Sequence, residues 1–413
     1  MRLPWIKPHL LTITNNPRFI PETARRLADP VFTTGITINR YELSEFVEKQ
    51  ERFLKEVLNG LDVHSKAALA LIYMPDGSLA SPVKLEESER DALERLGSNL
   101  GGCISALDSL SDSLVQHTST EGNAMWTFKH PTVGDAYSAL LLNNPEWLSI
   151  FVQGAPIDKL LGQVTCGDVG LERAVILPKG LFPLVLKRLK ESPSTKCYKT
   201  PFLASRYTKD RIDNFLASRC CKDFLVEYIK ENPQVLNRVS KPEPFLRSGS
   251  EVDLAIRLHE VGLLPENYRH EFVTTVVDYA IKGVDFDAIG NYMIRSVFTS
   301  DELTAFHERL RSELVPKLSD VRWTKQSDWR SDQSADEYMD PLLDSFSNIK
   351  DEFADDPTIL ATIDREIELG RDWIADNLDE NPKEETPARL FGDVDSPDYP
   401  VAPVRSIFDD IDE

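Results

Sequence analysis

The sequence predicts a mainly α-helical chain with one small β-bearing unit, and three observations carry that prediction. Apolar residues recur at helical spacing through most of the 413 residues. The helical period gives way to short strand-like segments in one region, between residues 113 and 129. Acidity is confined to the C-terminal fifth: Ser331 to Glu413 holds 25 acidic and 6 basic residues, against 43 and 41 in the rest of the chain. The length fits about two to four domains of ordinary size.

Residues 1–60 read as helical with one break. Glu22 to Leu27 suits a short helix ending at Asp29-Pro30. From Asn39 to Leu58, the residues Leu43, Phe46, Val47, Leu54, Val57 and Leu58 share one helical face, and Gly60 stands where a C-cap is expected. Residues 61–130 have a different rhythm. An Ala-rich helix over His64 to Tyr73 stops at Pro75-Asp76-Gly77, a second helix spans Glu86 to Leu96, and Gly101-Gly102 reads as a breaker. A third helix carries Ile104, Leu107, Leu110 and Leu114, and strands follow over Ser113 to His117 and Met125 to Lys129. Three helices and a β-hairpin are the outline of a winged helix. A helical domain with a surface hairpin fits the same pattern.

From 131 to about 330 the expectation is an all-helical array, its turns marked by Asn144-Pro145, Ser192-Pro193, Asn232-Pro233 and Leu264-Pro265. Phe202-Leu-Ala-Ser-Arg206 recurs as Phe215-Leu-Ala-Ser-Arg219. That spacing is too short for a helix-pair repeat, so the copies read as similar helix starts. Residues 331–378 form an acidic helical segment, with helices over Met339 to Phe353 and Ile359 to Leu378. Residues 379–413 read as a disordered acidic tail. The tail ends in the apolar island Ile407-Phe408, either a solvated end or a docking peptide for a basic groove.

Composition excludes several classes. No apolar run approaches the roughly 18 residues that cross a bilayer, and the segment around Arg2, Pro4 and Lys7 has no secretory apolar core. Five irregularly spaced cysteines suit reduced thiols in a cytoplasm. The acidic balance without a basic stripe makes nucleic acid a poor partner. The sequence contains no Gly-x-x-x-x-Gly-Lys-Ser/Thr, Gly-x-Gly-x-x-Gly, Gly-x-Ser-x-Gly, His-Glu-x-x-His or Cys-x-x-Cys, so no catalytic or metal-binding motif is expected.

Three local features stand out. In Asn16-Pro17-Arg18-Phe19-Ile20, an Asn before Pro suits a helix cap. Arg18 would then lie in the first helical turn, against the helix dipole, where it serves an anion or simply faces solvent. In Phe128-Lys129-His130-Pro131-Thr132, His130 falls at a strand–helix junction, where exposed N–H groups and an imidazole can meet a phosphate. A packing or capping histidine is the alternative. In Gln163-Val-Thr-Cys-Gly-Asp-Val-Gly170, Cys166 is either a nucleophile lacking an obvious base or a buried thiol in a tight turn.

With these motifs in this order, residues 8–190 resemble bacterial STAND NTPases, specifically the part that follows the nucleotide-binding domain in the novel STAND type-three group. Ala80-Ser-Pro-Val83 and Leu100-Gly-Gly-Cys-Ile-Ser-Ala-Leu107 belong to the most specific stretch of the likeness. STAND proteins are switches: a P-loop domain rests with ADP, a lid and a winged helix clamp it, and C-terminal repeats sense a ligand. Sensing leads to nucleotide exchange and oligomerisation, and bacterial members commonly serve in antiphage defence. The resemblance implies that residues 1–60 are a lid remnant and that Asn16, Pro17 and Arg18 lie near the nucleotide. It further implies that His130 touches the β-phosphate of ADP, although Pro131 stands where relatives often have Asp. Met1 falls where the lid would begin.

The resulting expectation is a non-enzymatic regulatory and sensor module of the cytoplasm, without a cofactor of its own. Its partners would be a P-loop domain in cis or in trans, which brings the ADP or ATP, and a sensed ligand such as a protein, with oligomerisation on activation. Two alternatives stay open: a winged-helix DNA-binding regulator, and a free-standing enzyme using Cys166.

Overall fold

The computed structural model describes residues 10–33, 39–75, 77–120, 123–171, 174–191, 201–330 and 332–378. The chain forms two compact units, residues 1–317 and 318–413. It is mainly helical with a small antiparallel sheet, as the hydrophobic periodicity predicts.

The first unit opens with α1 (Leu10–Thr14), α2 (Pro21–Ala28), α3 (Pro30–Thr33), α4 (Arg40–Glu48) and α5 (Gln50–Gly60). Leu43, Phe46, Val47, Leu54 and Leu58 are all buried, so the apolar face read from sequence is the core face. The face is split between two helices, because Lys49 leaves helical geometry at φ −117° and ψ 41°. Gly60 ends α5 as a helical residue, and Leu61 takes the cap. The Asn16-Pro17-Arg18 expectation is corrected here: no helix starts at Pro17. The Asn16 side chain accepts the Arg18 N–H at 3.0 Å, and the Asn16 carbonyl accepts that of Phe19 at 2.9 Å. This asparagine therefore closes a turn of its own, and the helix begins at Pro21 after extended Ile20.

The next elements are α6 (Val63–Tyr73), β1 (Ser78–Ser81), α7 (Glu87–Arg95), α8 (Leu100–Leu110), β2 (Val115–Thr120) and β3 (Asn123–Phe128). The strands form one antiparallel sheet in the order β1-β3-β2, with Leu79 opposite Trp126 and Val115 opposite Phe128. Helix–strand–helix–helix–strand–strand is the winged-helix order. Strand β1 carries no sequence signal because it is four residues long and buries only Leu79. Ala67, Ala68, Leu69, Ala70, Leu71 and Ile72 are buried on every side of α6, which accounts for its unbroken apolar run.

Gly101-Gly102 does not break a helix; it opens α8. Asn99 caps that helix by accepting the Gly102 N–H at 2.9 Å. A β-carbon on Gly102 would lie 2.5 Å from His64 Nδ1, so the glycine lets α8 approach α6 closely. Gly154 plays the same part farther on, where a β-carbon would meet that of Ala92 at 2.6 Å.

Beyond the sheet come α9 (Pro131–Leu142), α10 (Pro145–Gly154), α11 (Ile157–Gln163), β4 (Val164–Cys166), β5 (Val175–Leu177), α12 (Phe182–Lys190) and α13 (Pro201–Arg219). Then follow α14 (Lys222–Glu231), α15 (Gln234–Val239), α16 (Ser250–Glu260), α17 (Glu266–Ile281), α18 (Asp287–Gly290), α19 (Tyr292–Arg295) and α20 (Ser300–Arg309). The all-helical expectation fails at β4 and β5, which pair in parallel, Val164 opposite Val175 and Cys166 opposite Leu177. These buried apolar residues are too few for a helix, and Gly167 and Gly170, both at positive φ, turn the chain between them. The two Phe-Leu-Ala-Ser-Arg copies are not separate helix starts, for both lie within the single helix α13. At the far end of the array, Arg269 is buried and donates to Glu266 and Glu302, and Glu302 also completes the capping box of α20.

The second unit is a group of three helices, α21 (Leu318–Ser327), α22 (Ala335–Glu352) and α23 (Pro357–Asn377). Met339, Phe346, Ile349 and Ile363 are fully buried within it. Arg322 reaches buried Glu366 at 2.8 Å. Trp329 meets Trp373 edge-on at 5.3 Å. The expected tail, residues 379–413, lies outside the described residues, as do Arg2, Pro4, Lys7, Asp76, Ser192 and Pro193. No helix among the described residues is long and apolar enough to cross a membrane.

Candidate functional site

The segment leaving β3 builds a compact polar cluster. Lys129 still hydrogen-bonds back to the Leu114 carbonyl at 2.9 Å, and His130 is extended at φ −149° and ψ 145°. Pro131 occupies the first turn of α9, where a missing N–H costs nothing. His130 is therefore the N-cap of α9, its Nδ1 accepting the Thr132 N–H at 3.3 Å.

Thr132 Oγ1 also lies 2.9 Å from His130 Nδ1 and accepts a hydrogen bond from Arg26 Nη2. These contacts assign the hydrogens. The Thr132 N–H donates to Nδ1, so Nδ1 is an acceptor, and the threonine hydroxyl, which accepts from Arg26, can give its own hydrogen to the same nitrogen. A neutral imidazole whose Nδ1 accepts carries its proton on Nε2. Nε2 makes no hydrogen bond among the described residues. It is the donor that remains for a ligand.

Helix α2 supplies the rest of the cluster. Arg26 is 1% exposed, donates from Nε to Glu22 at 3.0 Å and stands over the Phe32 ring at 5.7 Å. Its Nη1 is buried and has no partner among the described residues. Arg25 clamps Glu22 with two hydrogen bonds of 2.8 and 2.7 Å. It also donates to the carbonyls of Asp112 and Ser113, tying α2 to the entrance of β2.

Burial works to raise the Glu22 carboxyl. The Arg25 hydrogen bond and the charges of Arg26 and Arg25 outweigh it and hold Glu22 below the usual carboxylate range. Burial also lowers the Arg26 guanidinium, with Glu22 opposing. The cluster is thus a carboxylate anchored by two arginines, with a histidine fixed in one tautomer at its edge.

The structure places the expected residues in two groups. His130 stands with Thr132, Arg26 and Glu22. Asn16 and Arg18 stand with α4, where Arg18 Nη1 donates to the Glu48 carbonyl at 3.1 Å and the Asn16 amide to the Glu48 carboxylate at 3.3 Å. Pro17 stands between them in the turn that Asn16 closes. Sequence reasoning missed Arg26, Glu22 and Thr132. One signal was available: Thr23, Arg26 and Leu27 share the buried face of α2, so an arginine sits at core spacing.

Cys166 is fully buried in β4, its carbonyl accepting the Cys221 N–H at 2.9 Å, with Cys220 bridging alongside. No histidine hydrogen-bonds to it among the described residues. In the winged-helix unit, α8 carries no basic residue and contains Asp108. No group of three or more metal-ligating side chains occurs among the described residues.

No protein-family model, curated protein or solved structure matches this chain.

Proposed function

We propose that this chain is a regulatory module of a STAND-type switch, working in the cytoplasm, in which the winged-helix unit clamps a nucleotide-binding P-loop domain supplied in cis or in trans. The observation that carries the reading is His130: it caps α9 at the end of β3, with Nδ1 engaged by Thr132 and Nε2 left over as a donor. A histidine held in that tautomer at a helix N-terminus suits the β-phosphate of ADP, because the Nε2–H and the positive end of the helix favour the same anion. The likeness of residues 8–190 to STAND proteins supplies the nucleotide, the antiphage setting and oligomerisation on activation.

In this mechanism the module itself performs no chemistry. It stabilises the ADP state of the P-loop domain by differential contact, and a ligand sensed by the helical array shifts the population when it prefers the released state. Asn16, Pro17 and Arg18 form the lid edge of the clamp.

The test is nucleotide retention. The tagged natural chain is recovered with its P-loop domain from the cell that makes it, and bound ADP is released by denaturation and counted. His130→Ala is expected to lower retained ADP by about tenfold, the weight of one charged hydrogen bond. Equal ADP in both preparations would overturn the assignment of His130.

A further inference from the structure

A cleft of about 550 Å³ opens where the winged-helix unit meets the start of the helical array, with Pro131 among its lining residues. Its apolar walls are Tyr73, Phe128, Leu171 and Ala174. The size is that of small-molecule sites in general. Glycine keeps it open: a β-carbon on Gly162 would touch nothing within 4 Å, and Gly134 at the base of α9 faces the Phe128 ring.

Polar residues line this space, Arg219, Thr127 and Asp135 among them, with Ser138 and Gln163 beside them. Arg219, the last residue of α13, makes one hydrogen bond among the described residues, from Nη1 to the Val164 carbonyl at 3.4 Å. Its Nε and Nη2 donors stay available for a two-point contact. Thr127 Oγ1 is buried and has no partner among the described residues. Asp135 is exposed at the rim and forms no ion pair with Arg219. A buried hydroxyl without a partner is costly to maintain unless something else meets it, and the Arg219 donors, which are not buried, are open to a ligand in the cleft.

We propose that the cleft binds a small organic carboxylate with an apolar body. The carboxylate takes the Nε–Nη2 edge of Arg219, since planar fork and carboxylate match in geometry. The body lies against Phe128, Tyr73 and Leu171, and a ligand oxygen meets Thr127 Oγ1. A phosphate dianion fits less well, because the cleft offers one arginine and sets the Asp135 carboxylate at its mouth. Binding does not depend on the switch reading. One consequence does: a ligand seated here touches the first turn of α9, whose cap is His130, so the cleft would be the place where a sensed ligand acts on the clamp.

The test uses the full chain and two probes with the same body, 3-indolepropionate and tryptamine, followed by ligand-observed NMR and calorimetry. Indolepropionate is expected to bind and tryptamine to show no binding. Arg219→Gln should weaken indolepropionate at least tenfold, and Gly162→Trp, which fills the cleft without meeting a neighbour at its β-carbon, should abolish binding. The proposal fails if indolepropionate does not bind at about 10 mM, the weak end of small-ligand affinity. It fails equally if tryptamine binds as well, or if both variants bind like the natural chain. No nucleotide enters this experiment, so its failure is distinct from failure of the switch reading.

Discussion

Thr132→Val probes the hinge of the whole cluster. Valine keeps the shape of threonine and removes the hydroxyl that accepts from Arg26 Nη2 and donates to His130 Nδ1. Arg26 is 1% exposed and already has Nη1 without a partner among the described residues, so the variant leaves a buried guanidinium bonded only through Nε to Glu22. A hydrogen bond from a charged donor is worth about 1.5–3 kcal/mol, and the extra methyl of valine returns a few tenths, so the expected loss is about 2 kcal/mol. Against a typical stability of about 5–15 kcal/mol, that is a clear shift of the urea midpoint. Thr132→Ser retains the hydroxyl and should stay within about 1 kcal/mol of the natural chain. A Thr132→Val chain that unfolds at the natural midpoint, or a serine variant as weak as the valine one, would refute the hydrogen-bond chain from Arg26 to His130.

Gly102→Ala should destabilise the winged-helix unit by about 1–3 kcal/mol, because its β-carbon would press on His64 at 2.5 Å, and thermal melting measures the loss. Glu302 has a carboxyl lowered to about 2, first by its hydrogen bond to Arg269, with burial opposing and the Thr299 N–H and His270 adding to the lowering. A folded value below the unfolded one contributes stability that is complete above about pH 4.5 and disappears as pH falls toward 2. Glu302→Gln should flatten that acid limb in denaturation curves taken across this range, and an unchanged limb would contradict it. Arg322→Ala leaves Glu366 buried without its cation, which costs about 3–5 kcal/mol. A second unit that melts at the natural temperature would show the pair to be dispensable.

What could be read from sequence was whatever repeats along a helix. The buried face of Leu43, Phe46, Val47, Leu54 and Leu58, the Ala-rich core helix and the acidic helices of the second unit all advertise themselves through period and length. The β-hairpin was legible because polar alternation interrupts that period. Strand β1 and the β4–β5 pair were not, since three or four residues cannot display a period. Gly101-Gly102 misled because a pair of glycines signals a turn, whereas here close packing on His64 demands the missing side chain. Asn16-Pro17 misled because asparagine closes turns as readily as it caps helices.

The site followed the same rule. His130 was visible from its junction between strand and helix, a local feature. Arg26 and Glu22 reach it from about one hundred residues away in sequence, through a hydrogen bond that only the folded chain creates. The cleft at Arg219 was invisible for the same reason, as its walls come from α6, β3, α9, α11 and α13.

Whether His130 guards a nucleotide is tested most directly by counting ADP in the assembly recovered from the native cell with the natural chain and with His130→Ala. A clamp predicts near-equimolar ADP with the natural chain and a loss of about tenfold in the variant. An assembly without ADP, or one that retains as much ADP when His130 is alanine, would contradict it.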